Sequence, residues 1–172
     1  WYYGAGSSPS GSFSNGYMLP FVTTITCGTG DFDYGNSSSE AFVKAGSVSN
    51  PEGAVAAVGM AETGTHTAYN NIVNMGIYDG IFSKKLWYAG AATSNGDLAI
   101  IATYPNPNSA VNAAEAFSKW SNLIGDPALH LWTATPTNFN FSHPTTIPLG
   151  TTMQEFNIID ENGNAVEGAR AT

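Results

Sequence analysis

Leu19–Thr26 (LPFVTTIT) concentrates apolar and β-branched residues in one short run, the pattern of a buried strand, and Gly28-Thr29-Gly30 breaks it just after Cys27. Ser37 or Ser38 caps a short helix reaching Gly46, with Glu40 in its first turn. Gly53–Gly59 (GAVAAVG) is a second buried strand, too short and too closely bounded by Gly for a helix. From Thr67 to Lys85 apolar residues fall at Ile72, Val73, Ile77 and Ile81, predicting a helix interrupted by Gly76 and Gly80. Leu86–Tyr104 predicts another, packed through Trp87, Ala91, Leu98 and Ile101. The sharpest helical signal is Ser109–Leu123: Ser109 caps it, and Val111, Ala114, Phe117, Trp120 and Leu123 share a face. Gly125-Asp126-Pro127 is a stop, and Ala128–Thr133 a third strand. Strands alternating with helices predict an α/β fold with a mostly parallel sheet covered on both faces.

The pattern changes at Pro136. Thr135–Thr152 is an extended Pro/Thr linker, and Met153–Ile159 then alternates as a strand. Glu161-Asn162-Gly163-Asn164 signals a hairpin turn, with Ala165–Thr172 as the return strand. A lone hairpin cannot bury a core, so residues 136–172 are expected to open a second, all-β domain after a first domain at 1–135. The beginning, Trp1–Met18, is dense in Gly and Ser and is expected to form a loop after a strand at or before the start; without a leading Met, the chain is expected to be a mature product or a fragment.

Charge narrows the function. Hydrophobic residues make up 42% of the 172 and charged residues 10%, so hydroxyls and amides must cover much of the surface, a composition common among exported bacterial proteins. A net charge of −8 with five Lys or Arg leaves no basic patch for nucleic acid or anionic lipid. No apolar run approaches the ~20 residues of a membrane span. The single cysteine excludes an internal disulfide, so Cys27 needs another explanation.

A lone buried cysteine is ordinarily a small hydrophobe. Cys27, however, falls where a strand gives way to a Gly-rich turn, and sites in open α/β sheets form at the carboxyl ends of strands. Free backbone N–H groups there would favour negative charge on sulfur and on an oxyanion.

The stretch LPFVTTITCGTGDF (Leu19–Phe32) resembles the nucleophile segment of the gingipain-type cysteine peptidases, which share the caspase-like fold. SSEAFVKAG (Ser38–Gly46), PEGAVAAVGM (Pro51–Met60), LWYAGAA (Leu86–Ala92) and SNLIGDPALHLW (Ser121–Trp132) resemble later segments of that domain in the same order. The resemblance implies the nucleophile-bearing half of a three-layer αβα peptidase domain, then the start of an immunoglobulin-like domain. It implies a secreted or cell-surface bacterial endopeptidase acting on peptide or protein substrates through an acyl-enzyme on Cys27, with no cofactor. The oxyanion would be held by the N–H groups of Cys27 and Gly6. His66 would lie in the loop lining the substrate pocket, with Met60 as a wall.

One position departs from the family. Its His-Gly pair aligns with Ala5-Gly6, so Ala5 stands where the proton-transferring His is expected. The missing upstream half of the domain would be a partner, or the site is silent and the chain is a non-catalytic binding or assembly module. Of the other histidines, His130 and His143 are expected to be structural or exposed, leaving His66 as the substitute base. Asp31-Phe32-Asp33-Tyr34-Gly35 faintly resembles an acidic Ca²⁺ loop, but its aromatics suit a packed turn, and no metal site is assigned.

Overall fold

Two apolar runs become parallel neighbours: β1 (Phe21–Thr24) and β2 (Ala56–Met60), with Phe21 opposite Ala56 and Thr24 opposite Gly59. The computed structural model describes residues 13–33, 36–105, 112–135, 137–167 and 169. Between the strands, α1 (Ser38–Lys44) begins with a capping box. Ser37 Oγ accepts from the Glu40 amide at 3.2 Å, and Glu40 Oε2 accepts from the Ser37 amide at 3.0 Å, so two helix-end donors are satisfied reciprocally.

Helices α2 (Thr67–Phe82), α3 (Ala89–Thr103) and α4 (Ala113–Trp120) follow. Asn112 caps α4, its side chain accepting from the Glu115 amide at 3.2 Å; Ser109 and Val111 lie outside the described residues. Strand β3 (Ser121–Ile124) leaves α4 without a turn and runs back along β2, Met60 opposite Ser121 and Ala57 opposite Ile124. The sheet order is β1-β2-β3, mixed among the described residues rather than mostly parallel. The third strand is therefore not Ala128–Thr133, which supplies one bridge, His130 to Tyr88. Leu123 reaches the core from this strand, not from a helix.

Period-two alternation along β2 divides the interior. Val58 and Met60 meet Val73, Ile77 and Ile81 of α2, Ile100 of α3 and Phe117 of α4. Ala57 joins Phe42 of α1 and Ala54 in a separate cluster. Helices thus cover both faces, giving three αβα layers. Each large apolar side chain removed from water stabilises the fold by roughly 1.5–3 kcal/mol.

The α2–α3 seam differs from its sequence pattern. The apolar face expected for α3 is turned outward, with Leu98 58% and Ile101 46% exposed, while Ala92, Thr93, Asn95, Gly96 and Ile100 are buried. Close backbone approach is the cause. A Cβ at Gly76 would lie 2.7 Å from the Ala99 Cβ, and one at Gly96 would lie 2.7 Å from Ile77 Cγ1. Asn95 straps the seam, donating through Nδ2 to the Gly76 carbonyl at 2.6 Å and accepting from Lys84 Nζ at 2.9 Å. The glycines that interrupt the α2 pattern are its packing surface.

Asp97, also on α3, is only partly compensated. Its Oδ1 and the Ser121 Oγ are both buried without a hydrogen-bond partner among the described residues. Burial pushes the Asp97 carboxyl up to about 7, and the nearby Ser121 hydroxyl only partly opposes it.

The chain divides into two compact units, Trp1–Thr133 and Ala134–Thr172. In the second, β4 (Phe139–Ser142) pairs antiparallel with β5 (Asn157–Asp160). The stretch expected as linker therefore contains a strand, in which Phe139 and Phe141 alternate with Asn140 and Ser142. The expected return strand contributes, among the described residues, a single Ala165 bridge to Ile159. The predicted turn is present, and Asp160 Oδ1 accepts from the Asn162 and Asn164 amides, both at 2.8 Å.

Candidate active site

Strand β1 stops at Thr24, and three residues later the chain turns through Cys27 to Gly30. The Thr29 hydroxyl ties this turn down, its single proton shared between the Thr24 carbonyl and, at 2.8 Å, the Thr26 carbonyl. Gly28 adopts φ +67°, open to glycine at little cost, and donates to the Glu62 carbonyl at 3.0 Å. Gly30 donates to the Met60 carbonyl at 2.9 Å, and a Cβ there would come within 2.5 Å of the Gly59 backbone. On the far side, the Thr29 carbonyl accepts from the Ser39 amide of α1 at 2.9 Å, and Asn122 of β3 donates to the Gly30 carbonyl at 3.4 Å. The turn is thus held by β2, the loop after it, α1 and β3.

Because β1 and β2 are parallel, the loop after β2 meets the loop after β1. Its Thr65 brackets the half-buried Cys27. The thiol donates to the Thr65 carbonyl at 3.3 Å, and the Thr65 hydroxyl donates back to Sγ at 3.1 Å. Asn70, in the first turn of α2, donates through Nδ2 to Thr65 Oγ1 at 2.9 Å. Glu62 stiffens the same loop. Its Oε1 accepts from the Thr63 amide at 2.8 Å and the Gly64 amide at 3.1 Å, contacts that together with the Thr63 hydroxyl hold its carboxyl below the usual range.

The amides after Cys27 are not free. Gly28, Thr29, Gly30 and Asp31 all donate to backbone carbonyls. The N–H of Cys27 itself has no acceptor among the described residues. A thiol and an amide donor with no acceptor among the described residues therefore sit on one residue, two groups that acyl transfer can use together.

Other expected site residues are distributed differently. Ala5 and Gly6 lie outside the described residues. The Met60 side chain is fully buried in the main core, so it lies within the packing of the sheet, while its carbonyl helps hold the Cys27 turn. His66 is exposed and caps α2. Its Nδ1 accepts from the Ala68 amide at 3.2 Å, its ring tilts against Tyr69, and it makes no hydrogen bond to Cys27. An Nδ1 engaged as an acceptor leaves the neutral ring's proton on Nε2. His130 is exposed against Trp87 and Tyr88, and His143 of the second unit stacks on Phe141. In the acidic loop, the Asp31 carboxylate accepts from the Asp33 amide at 3.2 Å, a local turn, while Tyr34 and Gly35 lie outside the described residues. Among the described residues no three His, Cys, Asp or Glu side chains group to hold a metal, and no helix is long and apolar enough to cross a membrane.

Thr65 and Asn70 are the site residues that sequence reasoning missed. Thr65 meets a side chain 38 positions away in the chain, and no periodic pattern announces such a contact.

Residues 5–132 match the family model for peptidase family C25. No curated protein matches the chain. Among solved structures, the Arg-specific cysteine proteinase gingipain R (RGPB) aligns with a TM-score of 0.71 at 23% identity, over 84% of this chain and 33% of that one. A complex of the pro- and mature domains of Porphyromonas gingivalis RgpB aligns at 0.64 and 22% identity, over 84% and 34%. The chain thus spans about a third of the length of the solved structures it matches.

Proposed function

The chain belongs to peptidase family C25, and from that premise we propose that Cys27 is the nucleophile of a cysteine endopeptidase domain. The supporting observation is the Cys27 N–H, without an acceptor among the described residues, beside a sulfur held by Thr65 on a fixed turn at the ends of two parallel strands. In this reading, Sγ bonds to the carbonyl carbon of a substrate peptide while the charged oxygen takes the Cys27 N–H, joined by the Gly6 N–H. The C–N bond then breaks and the thiol proton passes to the leaving amine. Water next cleaves the thioester, releasing the acid and restoring the thiol. No cofactor is required.

Ala5 cannot carry the proton, so a base must come from the upstream half of the peptidase domain, which we propose as partner, or from His66 after it releases the α2 cap. The substrate is a peptide or protein. The low charge density fits a secreted protein or one at a bacterial cell surface, and β4–β5 fits the first hairpin of an immunoglobulin-like domain. Ala5 also favours a second reading, a pseudopeptidase retained as a binding or assembly module.

Hydrolysis of fluorescein-labelled casein separates these readings. Turnover by the native chain that Cys27→Ser abolishes supports the enzyme. Turnover that appears only with Ala5→His, and is lost again with Cys27→Ser, marks a silenced site with an intact nucleophile. If a folded Ala5→His chain, mixed with the upstream half-domain, still leaves casein intact, the binding-module reading replaces the enzyme.

A further inference from the structure

The contacts behind Cys27 run in one direction. Asn70 Nδ2 donates to Thr65 Oγ1 at 2.9 Å, and Thr65 Oγ1 donates to Cys27 Sγ at 3.1 Å. A hydroxyl has one proton. By filling a lone pair on Oγ1, the Asn70 amide leaves that proton to point at sulfur. Asn70 is 5% exposed, and its Oδ1 is buried without a partner among the described residues. Most buried side-chain amides are paired at both ends. This one satisfies the end that leads through Thr65 to Cys27.

We propose that Thr65 and Asn70 form a donor relay that orients the Cys27 sulfur and stabilises charge developing on it. Thr65 touches the reacting atom, and Asn70 is a positioning residue acting through Thr65. The relay is anchored independently of the substrate: Asn70 sits in the first turn of α2, its amide donating to the His66 carbonyl at 3.0 Å. Its second function is to restrain the sulfur. The thiol donates to the Thr65 carbonyl while receiving from the Thr65 hydroxyl, so one residue fixes Sγ from two sides. The role in catalysis rests on the thiol chemistry proposed above, but the effect on sulfur reactivity does not.

The test is the second-order rate of alkylation of Cys27 by iodoacetamide at pH 7, followed by intact mass. Cys27 is the sole cysteine, so every adduct reports on it. Thr65→Val removes the hydroxyl at nearly constant shape and leaves the backbone carbonyl in place, and it should slow alkylation about three- to tenfold, the scale of one hydrogen bond. Thr65→Ser keeps the donor and should stay within about twofold of native. Asn70→Asp puts an acceptor where the donor was, drawing the Thr65 proton away from sulfur, and should slow the reaction as Thr65→Val does. Circular dichroism and urea midpoints verify that each variant is folded. Should Thr65→Val not fold, the comparison of Thr65→Ser with Asn70→Asp decides. Native-like alkylation in a folded Thr65→Val or Asn70→Asp chain overturns the relay, whatever casein shows. Equal slowing by Thr65→Val and Thr65→Ser also overturns it, because packing and not the hydroxyl would then be responsible. An intact relay in a chain that never cleaves casein would instead count against the peptidase reading alone.

Discussion

Replacing Asp97 by Asn should stabilise the protein at neutral and alkaline pH and leave it little changed near pH 4. The carboxyl is half-buried on α3 with Oδ1 inaccessible and unpartnered among the described residues, and desolvation raises it from 3.8 to about 7. The sign follows from proton counting. Between about pH 4 and 7 the unfolded chain has lost this proton while the folded chain retains it, so stability falls as pH rises and levels off above about 7. Each tenfold change in proton affinity is worth about 1.4 kcal/mol, so the gap between the two states would amount to roughly 4 kcal/mol if the site were dry. Asp97 keeps partial access to water, and screening reduces this to about 1–2 kcal/mol. Urea unfolding of the native and Asp97→Asn chains, followed by Trp fluorescence at half-unit steps from pH 4 to 8.5, measures the difference. The carboxylates Glu40, Glu62, Asp79, Glu115 and Asp160 are held below their usual range, so their contributions are lost as pH falls. They are common to both chains and cancel. The difference should widen in favour of Asp97→Asn across the window and then plateau. A difference flat in pH, or one favouring the native chain above pH 7, would refute the argument.

Three further outcomes are expected. Gly76→Ala should cost about 1–3 kcal/mol in urea unfolding, because its Cβ would meet Ala99 Cβ at 2.7 Å and Gly96 Cα at 2.9 Å in a seam with no room. Ser37→Ala should cost about 0.5–2 kcal/mol by removing the cap of α1, and it should lower hydrogen-exchange protection of the Ser39 amide, whose partner is the Thr29 carbonyl of the Cys27 turn. Gly30→Ala, which drives a Cβ within 2.5 Å of the Gly59 backbone, should lower Tm and change the iodoacetamide rate of Cys27 together; a lower Tm with an unchanged rate would show that the turn is not fixed by that contact.

Much of the first unit is legible from its sequence. The strand before Cys27, the capped helix after it, the GAVAAVG strand and α2 are all present, with ends shifted by a few residues. Failures occur where local signals compete. Ser121–Ile124 continues the helical spacing through Leu123 and has no Gly or Pro before it, so the break at Gly125 misleads; the sheet takes those residues because β2 offers an open edge. The alternation of Ala128–Thr133 is real, but only His130 finds a strand-like partner. On α3 the large residues suggest one face and the small residues win the other, since two backbones in contact exclude bulk. At the site, Cys27 is legible from the strand-to-Gly transition. Thr65 and Asn70 are not, because their roles exist only once two distant loops are brought side by side.

The α2–α3 seam also inverts the usual map of mutational tolerance. In most cores the positions that resist change carry the largest side chains. Here a saturation library would find its strictest positions along a stripe of missing side chains, at Gly76 and Gly96, while Met75, Leu98 and Ile101, bulky but turned to solvent, would drift freely. For anyone designing variants, hydrophobicity would then be a poor guide to what this half of the molecule can spare, and the empty positions would be the ones to protect.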